Sequence, residues 1–297
     1  MKRTMWMGLA SLLCASVMAA LSSARAMMIA PQPISQRVAA ADCIVVGKVT
    51  GFGDKTVSAT AAPGAKDKVE YQIAIIKVES TIAGAKGVKE IKVGFIAQPA
   101  AGGGPGGPIR PGFRRPMAPS FSLDQEGLLF LTKHHDADFY IAPMYFSVVN
   151  KRGNTNFDKE VDEAKHDVKL LADPKAGLEA KEEADRVLTA GMLMARFRQY
   201  KGGAGKPEMK PIDPELSKKI LLVLAEADWD AKPARPGPFQ MNPRTIFGQL
   251  QLTEKDGWKA PKDFKQFPAM AKEWCKDNAD KYAIKRMVYE KSEKNGK

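Results

Sequence analysis

Residues 41–52 read ADCIVVGKVTGF, and the fold of the first half of the chain turns on whether this run is a strand. Cys43, Val45, Gly47 and Val49 fall on one side of a two-residue period, and Ile44, Val46 and Lys48 on the other. Alternation in β-branched company is the pattern of a pleated strand. Working outward, VEYQIAIIKVESTI (69–82) alternates in the same way, with Tyr71, Ile73, Ile75 and Lys77 set against Gln72, Ala74, Ile76 and Val78. GAKG (84–87) then reads as a turn and VKEIKVGFI (88–96) as the strand that comes back beside it. Two more strands are expected at Leu128–Thr132 and Phe139–Ala142, and YFSVVN (145–150) extends or follows them. Five or six short strands in roughly 120 residues suggest a small barrel or sandwich, because closing a sheet removes its unpaired edges.

The order ADCIVVGKV, a long strand ending in KVESTIAGAKG, another strand, a loop and GLLFL resembles the oligonucleotide/oligosaccharide-binding (OB) type of barrel of the netrin and metalloproteinase-inhibitor (TIMP) modules. The first strand of those families is often an acid ahead of V-x-G-x-V, matched here by Asp42, Val45, Gly47 and Val49. The resemblance spans residues 38–150 and implies a closed barrel in an exported protein. It does not extend to the inhibitors' mechanism. They chelate zinc through a free amino-terminal cysteine, whereas Cys43 lies inside a strand.

An exported setting also follows from the start of the chain. Lys2 and Arg3 precede an uncharged stretch from Thr4 to Ala24, and Ala24-Arg25-Ala26 is a small-x-small cleavage site. Residues 1–26 therefore read as a secretory signal, with a mature chain beginning near Met27 and destined for the periplasm or the extracellular space. Cys14 leaves with the signal. Cys43 and Cys275 remain, too few for a disulfide-stapled fold. The net charge of +12 comes from lysines and arginines interspersed with acids, as on a solvated surface rather than a nucleic-acid track. Bases would also need stacking platforms, and the strands offer chiefly Tyr71, Phe95 and Tyr140, so nucleic acid is not the expected partner.

After residue 155 the period changes. DKEVDEAKHDVKLLA (158–172) puts Val161, Ala164, Val168 and Leu171 at helical spacing before Asp173-Pro174 interrupts it. A second helix carries Val187, Leu188, Gly191, Met192 and Ala195 on one face, with Arg186, Arg196 and Arg198 on or beside that stripe. GGAGKPEMKPI (202–212) is a hinge or exposed connection. Asp213-Pro214 then caps a third helix, whose stripe of Leu216, Ile220, Val223, Leu224 and Ala227 is widened by Leu221 and Leu222. A short helix starts at Asn242-Pro243. A last one, around Pro268–Asn278, aligns Met270, Ala271, Trp274 and Cys275, and KYAIKRMVYE (281–290) either prolongs it or forms a strand. The paired helices resemble a short HEAT-like packing. The expected fold is thus α+β: a signal (1–26), an OB-like β-barrel domain (27–155) and an α-helical domain (156–297).

Two stretches carry candidate chemistry. Residues 97–120 are rich in Gly and Pro, and Arg110, Arg114 and Arg115 are the only charges. With Phe113 as an apolar contact, this segment reads either as a basic arm for an envelope or extracellular protein or an anionic polymer, or as a tolerated insertion. The other stretch, LLFLTKHHDADFYIAP (128–143), holds two of the three histidines. A zinc site needs three or four converging His, Cys, Asp or Glu ligands, and HExxH, HxH and CxxC spacings are absent. On a strand His134 and His135 would point to opposite faces; in a turn they could converge with Asp136 or Asp138. His-His-Asp-Ala-Asp between matched strands reads most simply as a hairpin tip. The favoured function is that of an exported, non-enzymatic binding protein with no cofactor. The alternative is a metal-binding protein or metal-dependent hydrolase using His134, His135 and Asp136 with His166.

Overall fold

The alternating run at 41–52 forms the strand at the centre of the sheet. In the computed structural model, which describes residues 32–96, 119–199, 207–231 and 241–289, β1 spans Cys43–Phe52. It lies antiparallel between β3 (Lys68–Ala83) and β5 (Glu126–Lys133). Both faces of β1 are buried, in different places. Cys43, Val45 and Val49 join Ala74, Ile76, Val93, Leu129 and Leu131 inside the curl of the sheet. Ile44 and Val46 join Leu128 and Phe130 against the helices. That division is the two-residue period of the sequence expressed in packing.

β3 pairs on its far side with β4 (Glu90–Phe95), and its first residues pair with the short β2 (Val57–Thr60), which follows β1 along the chain. The turn between β3 and β4 contains Gly84 and Gly87, both at positive φ, as GAKG requires. β5 turns back into β6 (Tyr140–Ile141), and β7 (Val148–Asn150) pairs with β5 as well. The OB-type barrel expected from the sequence has to be corrected to a tightly curled sheet. The path from β4 back to β5 runs through β6, which is two residues long and meets β4 only at Val93↔Tyr140 and Gly94↔Ile141. That is a seam, too short to be a continuous barrel wall. The reason is local: β6 gives way at once to Ala142-Pro143 and a 3-10 turn at Tyr145–Ser147.

The helices cover the outer face. α1 (Ile34–Ala40), which the sequence reading left unassigned, buries Ile34 and Val38 one turn apart and packs on β5. Its Arg37 guanidinium stands 5.7 Å from the centres of the Phe130 and Phe146 rings. α2 (Phe157–Ala172) buries Val161, Ala164 and Leu171, and Asp173 caps the five-residue α3 (Pro174–Leu178) by accepting from the Ala176 amide. α4 (Glu183–Arg198) follows, with Met192 and Met194 fully buried as core residues. Arg196 and Arg198 tie it to its surroundings: Arg196 donates to the Ala39 carbonyl at 3.2 Å, and Arg198 to the carbonyls of Gln249 and Leu250.

α5 (Pro214–Glu226) is central, with Ile220, Leu221 and Leu224 inaccessible, and it packs chiefly on α7 (Phe267–Asn278). α6 (Pro243–Gly248) is capped by Asn242, as the Asn-Pro signal predicts. The HEAT-like packing also has to be corrected, because the helices range from five to sixteen residues and pair unequally. The segment expected as a hinge contributes β8 (Glu208–Pro211), paired with β9 (Lys285–Val288) in a separate ribbon. The architecture is mixed, with an N-terminal sheet region and a C-terminal helical region that share one apolar cluster.

Candidate metal centre

β5 ends at Lys133, and the chain returns as β6 at Tyr140, with the His134 amide donating to the Phe139 carbonyl at 3.0 Å to close the turn. The hairpin expected at this stretch is therefore present, and its tip is also where the histidines converge. Because the chain leaves the strand at His134, the two adjacent side chains no longer alternate. Their rings stack at 4.4 Å between centroids, 24° from parallel. Asp136 joins them and Asp138 does not: ligand atoms of His134, His135 and Asp136 all lie within 4.8 Å of one another.

His134 is held on every side. Its side chain is inaccessible, Tyr71 meets its ring edge-on at 5.4 Å and Phe139 packs at 4.6 Å. Its Nε2 is 3.1 Å from the Thr60 carbonyl oxygen, which can only accept, so Nε2 carries a proton. Its Nδ1 accepts from the Asp136 amide at 3.3 Å and lies 2.8 Å from the Asp136 carboxylate Oδ1. In a neutral ring this sets a nitrogen lone pair against a carboxylate, which is unfavourable unless a proton or a cation lies between them. Burial, and then His135, push the His134 pKa down, against the opposing pull of Asp136. His135 Nε2 is 3.7 Å from Asp136 Oδ1 and 2.7 Å from the Thr60 hydroxyl, which also bonds Asp136 Oδ2 at 2.8 Å.

Two of these spacings suit a small cation, and the three donors lie within 4.8 Å of one another. In tetrahedral zinc sites with metal–ligand distances of about 2.0–2.2 Å, neighbouring donor atoms stand roughly 3.3–3.5 Å apart. The separations of 2.8 Å and 3.7 Å about Asp136 Oδ1 straddle that value. Donation of the second His134 nitrogen to a backbone carbonyl is the usual outer-shell arrangement of a ligating histidine.

The other sequence candidates lie elsewhere. His166 is outside this group of ligands; it sits on α2 and pairs with Asp185 of α4 at 2.9 Å. Arg110, Phe113, Arg114 and Arg115 fall outside the described residues. Cys43 and Cys275 are free, buried in different apolar clusters, and burial pushes their thiols up to about 11 and about 12, so both are core residues. Tyr71 and Phe95 are buried and cannot serve as stacking platforms. Thr60 was missed. The only signal for it was TVSAT (56–60), a short β-branched run ahead of Pro63-Gly64.

No family model matches the chain, and no curated protein or solved structure does either. The resemblance to netrin and TIMP modules is accordingly not upheld. The V-x-G-x-V match has a local explanation: a Cβ on Gly47 would stand 2.7 Å from the Lys77 carbonyl oxygen and 2.8 Å from Ile76 Cγ2, so glycine is needed for β1 to approach β3. Among the described residues, no helix is long and apolar enough to cross a membrane.

Proposed function

We propose that this is an exported metal-binding protein whose ligands are His134 Nδ1, His135 Nε2 and the Asp136 carboxylate. The observation that carries the reading is the buried His134 ring, with one nitrogen committed to the Thr60 carbonyl and the other aimed at Asp136 Oδ1 from 2.8 Å. Two imidazoles and one carboxylate suit Zn²⁺, Ni²⁺ or Cu²⁺, whereas Mg²⁺ and Ca²⁺ prefer oxygen donors alone. Export is supported by the basic start, uncharged stretch and Ala-Arg-Ala site of residues 1–26. The function proposed is binding rather than hydrolysis, since the carboxylate at the site is a ligand and not a free base.

The test is metal content after exhaustive dialysis of protein loaded with zinc. About one ion per chain is expected for the native sequence and a small fraction of that for His134→Ala. A hairpin tip held by hydrogen bonds alone would retain no ion in either protein, and that result would end the metal reading.

A further inference from the structure

This inference rests on the metal site just proposed and concerns the residue that shapes it. Thr60 ends β2, which among the described residues pairs only with β3, whereas the ligand turn belongs to the β5–β6 hairpin. Among the described residues, no backbone–backbone hydrogen bond joins β2 to that turn. The hydrogen bonds between them are those of Thr60: its carbonyl to His134 Nε2, and its hydroxyl to His135 Nε2 and Asp136 Oδ2.

Counting protons fixes what each contact does. The carbonyl accepts, so His134 keeps its proton on Nε2 and the neutral ring offers Nδ1, the nitrogen facing Asp136. The Thr60 hydroxyl has one proton, and a carboxylate can only accept, so that proton goes to Asp136 Oδ2. His135 Nε2 must then donate its own proton to the Thr60 oxygen. In the metal-free protein Nδ1 of His134 already faces Asp136 Oδ1, and an ion would take the place of the proton that must otherwise lie between them. His135 Nε2 has to shed the proton it donates to the Thr60 oxygen before it can bind an ion.

We propose that Thr60 is the positioning residue of this site, its carbonyl selecting Nδ1 as the coordinating nitrogen of His134 and its hydroxyl orienting the Asp136 carboxylate through Oδ2, a contact kept when a metal displaces that hydroxyl from His135 Nε2. The site then exists only while the end of β2 is docked on the hairpin tip, so metal binding and that docking are linked.

The experiment combines zinc titration with imidazole ¹⁵N NMR on the full chain and on Thr60→Val and Thr60→Ser, each first checked for an unchanged far-UV circular dichroism spectrum. Thr60→Val keeps the branched shape and the carbonyl but removes the hydroxyl. It should weaken zinc by about 10- to 100-fold, and Thr60→Ser should restore affinity to near the native value. In zinc-loaded native protein His134 should keep its Nε2 proton and His135 should carry its proton on Nδ1. Coordination through His134 Nε2, or equal zinc affinity in native protein and Thr60→Val, would overturn the role of Thr60 while leaving the metal site standing. Failure of the native protein to bind zinc, nickel or copper would instead remove the metal reading, and this inference with it.

Discussion

Gly84 has φ +83°, and a Cβ there would meet the Asp42 carbonyl oxygen and stand 2.8 Å from the Cys43 Cα. Both obstacles are backbone, so neither can swing aside. Gly84→Ala is expected to cost roughly 2–5 kcal/mol, the left-handed penalty added to overpacking, read as a lowered urea midpoint at an unchanged slope. Gly94 has a milder version of the constraint. It sits in the short seam between β4 and β6, and its Cβ would come within 2.6 Å of the Phe139 ring. Phe139 in turn packs on His134, so Gly94→Ala should lower stability by about 1–3 kcal/mol and also weaken zinc retention. Unaltered metal binding in Gly94→Ala would show that Phe139 does not transmit packing to the site.

Among the elements, α2 carries an unusual residue on its packed face. Asp167 is 1% exposed, and among the described residues neither of its carboxylate oxygens has a hydrogen-bond partner. Burial, reinforced by Glu163 and Asp185 and opposed by His166, raises its pKa to about 7. Between the ordinary carboxylate range and about pH 7 the folded protein holds a proton that the unfolded chain has released. Stability should therefore fall as pH rises through that window and level off above it, by an amount on the order of 4 kcal/mol. Asp167→Asn should flatten the fall and leave the protein about 1–3 kcal/mol more stable than the native sequence at pH 8. Melting curves from pH 4 to pH 8 provide the check, and parallel pH dependence in the two proteins would exclude Asp167 as its source. On α5, Asp213 accepts from the Leu216 amide at 2.9 Å, so Asp213→Ala should cost about 1 kcal/mol in the same assay.

For the whole molecule, the helices and the outer face of the sheet share a single apolar cluster, with Ile44, Val46, Leu128 and Phe130 of the sheet packed among Leu193, Leu221 and Leu224 of the helices. Leu128→Ala and Leu221→Ala should each cost about 2–5 kcal/mol and lower one common unfolding transition, seen alike by near-UV and far-UV circular dichroism. Two separate midpoints would mean that the regions melt independently. Metal should act on the same transition. At about a hundred times its dissociation constant zinc should add about 2.7 kcal/mol, removable by a chelator and absent in His134→Ala.

Local pattern was enough for the strands β1, β3, β4 and β5, the caps at Asp213 and Asn242 and the glycine turn after β3, because a two-residue period, a capping side chain and a positive φ are properties of neighbouring residues. The sequence also marked His134, His135 and Asp136, and it placed them at a hairpin tip. It could not decide whether the two rings point the same way, since that depends on the chain leaving the strand at His134. Nor could it supply Thr60, seventy-four residues away from His134, whose carbonyl and hydroxyl order the site. The closed barrel failed for a related reason: closure depends on how far β4 and β6 run side by side, and that length is set by Pro143 and the 3-10 turn beyond it rather than by alternation within either strand. Periodicity thus determined which segments are strands and helices and which residues could be ligands. Contacts between segments remote in sequence decided whether the sheet closes and whether those ligands meet, because such contacts depend on where strands end.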